Sequence, residues 1–193
     1  TDFLRDVRLA EIDDDAKDPR SDIQGKRVLV IGGGDVAIDV ARTALRLDAA
    51  EVHMACLESR DAMPASKQEI RDALEEGIQI HDGRTFQRIL DDGNGNAAGV
   101  ECQRVERFDF GSDGRLNVQT EADSEHVLPA DVVVFSVGQR VGLAFLFEGT
   151  GVELAPNRTV AIDANTYATA RPGVFAAVDS TSGTSFVIEA VAS

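Results

Sequence analysis

An α/β fold built on a parallel sheet is what this sequence predicts, and three observations carry that expectation. Arg27-Val28-Leu29-Val30-Ile31 is a short, β-branched apolar run of the kind buried on both faces of a sheet. Gly32-Gly33-Gly34 follows at once and opens Asp35 to Leu47, where apolar residues recur at helical spacing. A second strand, Glu51 to Leu57, then closes a βαβ unit of about thirty residues, whose crossover is expected to be right-handed.

The glycine turn fits G-x-G-x-x-A, with Gly32, Gly34 and Ala37 in the three small positions. Each position has a mechanical reason. Gly32 permits the tight turn out of the strand, Gly34 lets an anion approach the backbone, and Ala37 lets the helix pack closely on the sheet. The free amides at the helix start, from Gly33 through Asp35 and Val36, then face a pyrophosphate, aided by the helix dipole. The expected architecture is therefore a Rossmann-like, three-layer nucleotide-binding domain. A glycine turn serving only close helix–strand packing is the plainer alternative.

Composition narrows the field. The chain has 193 residues, 43% of them hydrophobic, enough for a proper core. A net charge of −15 argues against nucleic acid, which needs a basic footprint. No apolar run is long enough for a membrane span, and no secretory leader opens the chain. Its start at Thr1 suggests an excised piece of a longer protein. Cys56 and Cys102, far apart, read as two buried thiols of a cytoplasmic protein, with neither a redox disulfide nor an iron–sulfur cluster. The three histidines are scattered, without metal-ligand spacing.

In chain order, Asp2 to Leu9 reads as a short helix and Ile12 to Pro19 as an acidic connector. After the βαβ unit, Ser66 and Glu69 stand in capping-box positions before a helix that Gly77 ends. Ile78 to Ile80 is a third strand. Phe86 to Leu90 and Gly99 to Phe108 flank a hairpin signal at residues 91–96, and further extended segments run to Leu128, so a small antiparallel insertion is expected. Val132 to Val137 is a second strand of the fully buried type, ended by Gly138. Gly138 and Gln139 then lie at its carboxyl end, where ligands of open parallel sheets bind. Beyond Gly142, residues 159–163 and 174–178 read as short strands and Ser185 to Ala192 as a helix. Asp39 and Arg42, three apart on the glycine-turn helix, read as a surface ion pair.

Five stretches together carry a family resemblance: Val28 to Arg42, Ala62-Met63-Pro64-Ala65, Leu128-Pro129-Ala130-Asp131, Val137-Gly138-Gln139-Arg140 and Arg171 to Ala176. In order and spacing they resemble the pyridine-nucleotide-binding domain of the glutamate synthase small subunit, and the related region of dihydropyrimidine dehydrogenase, within the pyridine nucleotide-disulfide oxidoreductase type of flavoprotein. The resemblance implies a two-dinucleotide flavoprotein in which NAD(P)H passes a hydride to FAD. It divides the chain into a connector from a preceding FAD-domain half (1–25), an NAD(P)-binding domain (26–141) and part of the returning, discontinuous FAD-binding domain (142–193). FAD is then expected only in the intact protein. The remaining partners implied are the rest of the FAD domain and an electron-accepting subunit.

Where the family carries Gly-Gly-Asp against the flavin, this chain has Ala177-Val178-Asp179. Asp179 therefore reads either as a flavin contact or as a turn aspartate capping the last helix. No nucleophile–base pair and no paired carboxylates are visible, so no catalytic residue is assigned and the cofactor is expected to carry the chemistry. Glu58, with Ser59 and Arg60 beside it, ends the second strand 26 residues after Gly32, where an acid can accept hydrogen bonds from the adenosine ribose. NADP-using members of the resembled family carry basic residues at Leu57 and Glu58, so NADH is expected to be favoured over NADPH. A methyltransferase-like fold, and a non-catalytic or electron-transfer module on the same fold, are the competing readings.

Overall fold

The computed structural model describes residues 2–13, 15–111, 115–138, 149–183, 188 and 191. The chain forms two compact units, Thr1–Gly138 and Gln139–Ser193.

The first unit has three layers. Its middle is a parallel sheet in the order β3-β2-β1-β8, from β1 (Arg27–Ile31), β2 (Glu51–Ala55), β3 (Gln79–His81) and β8 (Val132–Phe135). Val30 lies opposite Met54 on one side and Val134 on the other. One face is covered by helices: α1 (Asp2–Ile12), α2 (Arg20–Ile23), α3 (Asp35–Arg46) and α4 (Lys67–Glu75). Val28, Val30, Val52 and Met54 meet Ile38, Ala41, Ile70 and Ile78 there. The other face, with Leu29, Ile31 and Ala55, is covered by Val100, Cys102, Leu128 and Ala130. Those residues come from the antiparallel layer of β4 (Arg84–Asp91), β5 (Ala97–Phe110), β6 (Leu116–Thr120) and β7 (His126–Pro129). Because successive β1 side chains feed opposite cores, every residue from Val28 to Ile31 is buried.

The βαβ unit, the third strand and the antiparallel insertion stand where the sequence places them. Four expectations need correction. The strand ending in Phe135 is not fully buried: it is the sheet's edge, Val132 to Val134 are half-buried, and Phe135 is 44% exposed. Arg42 does not pair with Asp39; its guanidinium reaches Glu69 (2.8 Å) and Glu76 (2.6 Å), tying α3 to α4. The capping box is half made. Ser66 Oγ accepts from the Glu69 amide at 3.2 Å, but Glu69 is spent on Arg42, and the Ser66 N–H donates to Asp35 Oδ1 instead. The three histidines are not scattered in space either, since His53 and His81 bond to each other across β2 and β3, with Nδ1 and Nε2 2.9 Å apart.

In the second unit, the expected strands at 159–163 and 174–178 are only isolated bridges, Leu154 with Val160 and Ala168 with Phe175. A short helix, α5 (Asp179–Ser182), precedes the helix expected from Ser185, most of which lies outside the described residues.

Candidate functional site

The carboxyl ends of β1, β2, β3 and β8 lie along one edge of the parallel sheet, with the glycine turn at the end of β1. Arg27 and Asp131 set this up from the far end of the sheet. The Arg27 N–H donates to Asp131 Oδ2 at 2.8 Å and its guanidinium grips both carboxylate oxygens, fixing where β8 starts beside β1. That contact holds the Asp131 carboxyl down at about 2. At the near end, the Ser136 N–H donates to Ile31 O at 2.7 Å and the Gly32 N–H to Ala55 O at 2.8 Å.

The glycines are needed for different reasons. A Cβ on Gly32 would stand 2.2 Å from Ser136 O, and φ there is +144°. Gly32 is therefore a packing glycine as well as a turn glycine. A Cβ on Gly33 would meet the Cys56 Cβ at 2.9 Å and the Glu58 carboxylate at 3.1 Å. A Cβ on Gly34 would meet nothing within 4 Å. Gly34 is the N-cap of α3, no side chain caps it, and the amides of Gly34, Asp35 and Val36 donate to no acceptor among the described residues. Open space and unspent donors coincide at one point. That is the arrangement a phosphate requires.

Ala62-Met63-Pro64-Ala65 explains itself here. Met63 and Ala65 are buried, the Ala65 N–H donates to Gly33 O at 3.0 Å, and the neighbouring Ser66 N–H takes up Asp35 Oδ1 at 2.8 Å. The loop after β2 thus braces the glycine turn from outside. It engages one oxygen of the Asp35 carboxylate.

Glu58 is half-buried and faces the turn at Gly33, while its carbonyl accepts from the Gly83 N–H at 2.7 Å. Ser59 is exposed and precedes a single 3-10 turn, Arg60–Ala62. Arg60 is half-buried and engaged. It donates to Ile80 O at 2.7 Å and to Asp82 Oδ1 at 3.0 Å. Asp82 is a site residue the sequence reading missed; the Asp82-Gly83 turn after β3, with Gly83 at φ +61°, was the available signal. Burial pushes the Cys56 thiol up to about 12, with Glu58 and Asp82 adding to it, so it is no nucleophile near neutral pH.

Gly138 is exposed at φ +104°, just past β8, and Gln139 lies outside the described residues. Asp179 belongs to the second unit. It is the first residue of α5, where Val178 is the N-cap, and its carboxylate caps nothing among the described residues; the start of the helix expected from Ser185 lies outside them. Val178 sits at φ 54° and ψ −142°, a conformation a β-branched residue rarely adopts and glycine adopts readily. The turn has therefore kept a glycine-type backbone without the glycine. Among the described residues no cluster of metal ligands occurs, and no helix is long and apolar enough to cross a membrane.

This chain is 39% identical, over 190 residues, to the NADP(+)-dependent formate dehydrogenase subunit beta of Moorella thermoacetica, covering 98% of this chain and 25% of that one. It is 34% identical over 178 residues to the glutamate synthase [NADPH] small chain of Escherichia coli strain K12, covering 91% of this chain and 38% of that one. It thus spans well under half the length of either relative. Among solved structures, thioredoxin reductase from T. acidophilum superposes with a TM-score of 0.70 over 90% of this chain and 51% of that one, at 22% identity, which establishes likeness of fold. The profile of one family matches residues 4–193, and the chain belongs to it: the pyridine nucleotide-disulphide oxidoreductases.

Proposed function

We propose that the first unit is the nicotinamide-dinucleotide-binding domain of a flavoprotein oxidoreductase, which in the intact protein delivers a hydride from NAD(P)H to FAD. One observation carries the reading: at Gly34 the backbone is open on its outer side while three amides at the start of α3 lack acceptors. The pyrophosphate lies there. The adenosine ribose lies toward Glu58, whose carboxylate accepts from the 2′- and 3′-hydroxyls. The nicotinamide lies toward Ser136 and Gly138 at the end of β8. The dinucleotide supplies the hydride; the chain's residues bind and orient it, and no side chain moves a proton.

FAD fits only in part. Asp179, in a glycine-type turn with its carboxylate outside any hydrogen bond among the described residues, is suited to one corner of a flavin site. Residues 26–141 are assigned to the nicotinamide domain, 1–25 to the connector, and 142–193 to a returning part of the FAD domain. An assembly with an electron-accepting subunit is the companion reading, favoured by the relative named as a formate dehydrogenase subunit.

Because Arg60 is engaged, a 2′-phosphate meets Glu58 first. Two full charges about 5 Å apart at an effective dielectric near 20 repel by roughly 3 kcal/mol, less where water intervenes. NADH is therefore favoured in this arrangement, by about tenfold or more. Calorimetric titration tests the reading. NADH binds the parent chain, and Gly34→Val weakens it by at least about tenfold. Equal binding by the parent and Gly34→Val contradicts the placement.

A further inference from the structure

Arg60 is the cation nearest in sequence to Glu58, and the fold does not leave it free. Its Nη2 donates to Asp82 Oδ1 (3.0 Å) and to Ile80 O (2.7 Å), and its backbone N–H donates to Asp82 Oδ2 (3.0 Å). The same guanidinium keeps Nε buried without any acceptor. A settled structural arginine would also satisfy that N–H, so this seat is incomplete. Asp82 is well fixed by comparison. It follows directly on β3 and precedes Gly83, whose N–H donates to the Glu58 carbonyl at 2.7 Å. One corner of the domain thus joins the carboxylate that faces the glycine turn, the adjacent cation, and a second carboxylate that holds the cation.

Resting on the nucleotide reading above, we infer that Asp82 sets the preference between the two nicotinamide dinucleotides by holding Arg60 away from the ribose 2′ position. While Asp82 is ionised, a 2′-phosphate finds Glu58 and no cation. Burial disfavours the charge on Asp82, but the Arg60 contacts outweigh it and hold the carboxyl below the usual range, so the latch is closed at neutral pH. Without that charge, Arg60 keeps the Ile80 carbonyl and a single neutral acceptor at position 82, and the ionic hold is gone. A 2′-phosphate then offers a bidentate partner and an acceptor for Nε. A 2′-hydroxyl offers Arg60 little, so NADH affinity is nearly indifferent to the latch.

The test is titration of NADH and of NADPH into the full chain and into Asp82→Asn, Arg60→Gln and the double variant. Asp82→Asn tightens NADPH relative to NADH by at least about tenfold, Arg60→Gln alone stays within about twofold of the parent for NADPH, and the double variant loses the gain. A gain that persists in the double variant assigns the effect to one negative charge fewer and overturns the latch. An unchanged preference in Asp82→Asn, with NADH binding intact, overturns it while the nucleotide site stands. Arg60→Gln decides independently of how Asp82→Asn folds: a loss of NADPH affinity beyond about fivefold shows Arg60 already in use, and the inference fails. Binding of neither nucleotide by the parent overturns both this inference and the reading under it.

Discussion

Gly32 and Gly34, two positions apart, answer to different constraints. Gly32 has a carbonyl oxygen where its Cβ would be and a φ of +144°; Gly34 has an ordinary extended backbone and empty space. Gly32→Ala should therefore destabilise the chain by about 3 kcal/mol or more, combining overpacking with backbone strain. Gly34→Ala should leave stability within about 0.5 kcal/mol. Denaturant midpoints of the two variants check this, and comparable losses in both would mean that Gly34 is held by the fold rather than kept clear for a ligand. A G-x-G-x-x-A pattern shows that small residues are required, and the geometry separates the glycine that serves packing from the one that leaves room. The position of Glu58 beside the glycine turn was legible from its place at the end of the second strand. The engagement of Arg60 was not, because its partner lies 22 residues further on and only the β2–β3 pairing brings them together.

At the level of elements, the sheet's β2–β3 edge carries a titratable bond. The rings of His53 and His81 are 14° from coplanar with centroids 5.2 Å apart, while the bonded nitrogens are 2.9 Å apart. The difference is taken up by the two ring radii, so the rings meet edge to edge along the line of centres rather than face to face. One nitrogen must donate and the other accept, so the bond does not survive protonation of both rings. Burial, then the neighbouring His53, Arg84, His126 and Arg60, hold His81 below the ordinary histidine range. The unfolded chain takes up that proton first as pH falls. Stability from His81 is thus complete above about pH 6.5 and declines below it. Melting temperatures from pH 8 down to pH 5 should hold steady and then fall, with a shallower fall in His81→Gln. Identical profiles would show that His81 contributes nothing. Paired carboxylates such as Asp131, held at about 2, are lost only in far stronger acid and do not blur this window.

For the whole molecule, how much the sequence revealed tracked how local the determining interactions are. The βαβ unit, the hairpin over residues 91–96 and the Gly77 stop were legible because strand periodicity, turn chemistry and C-capping act over a few residues. The edge position of β8, the Arg42 bridge from α3 to α4 and the half-made capping box depend on which elements become neighbours, and periodicity carries no record of that. The second unit was least legible, because its described residues pair through single bridges rather than through ladders with an alternating pattern. The central claim, that a nicotinamide dinucleotide lies across the start of α3, is tested most directly by the backbone amides themselves. In ¹⁵N–¹H spectra recorded during NADH addition, the resonances of Gly34, Asp35 and Val36 should shift together and saturate with one binding curve, and those of Asp35 and Val36 should shift little in Gly34→Val. Saturable NADH binding that leaves those three amides unmoved would contradict the account.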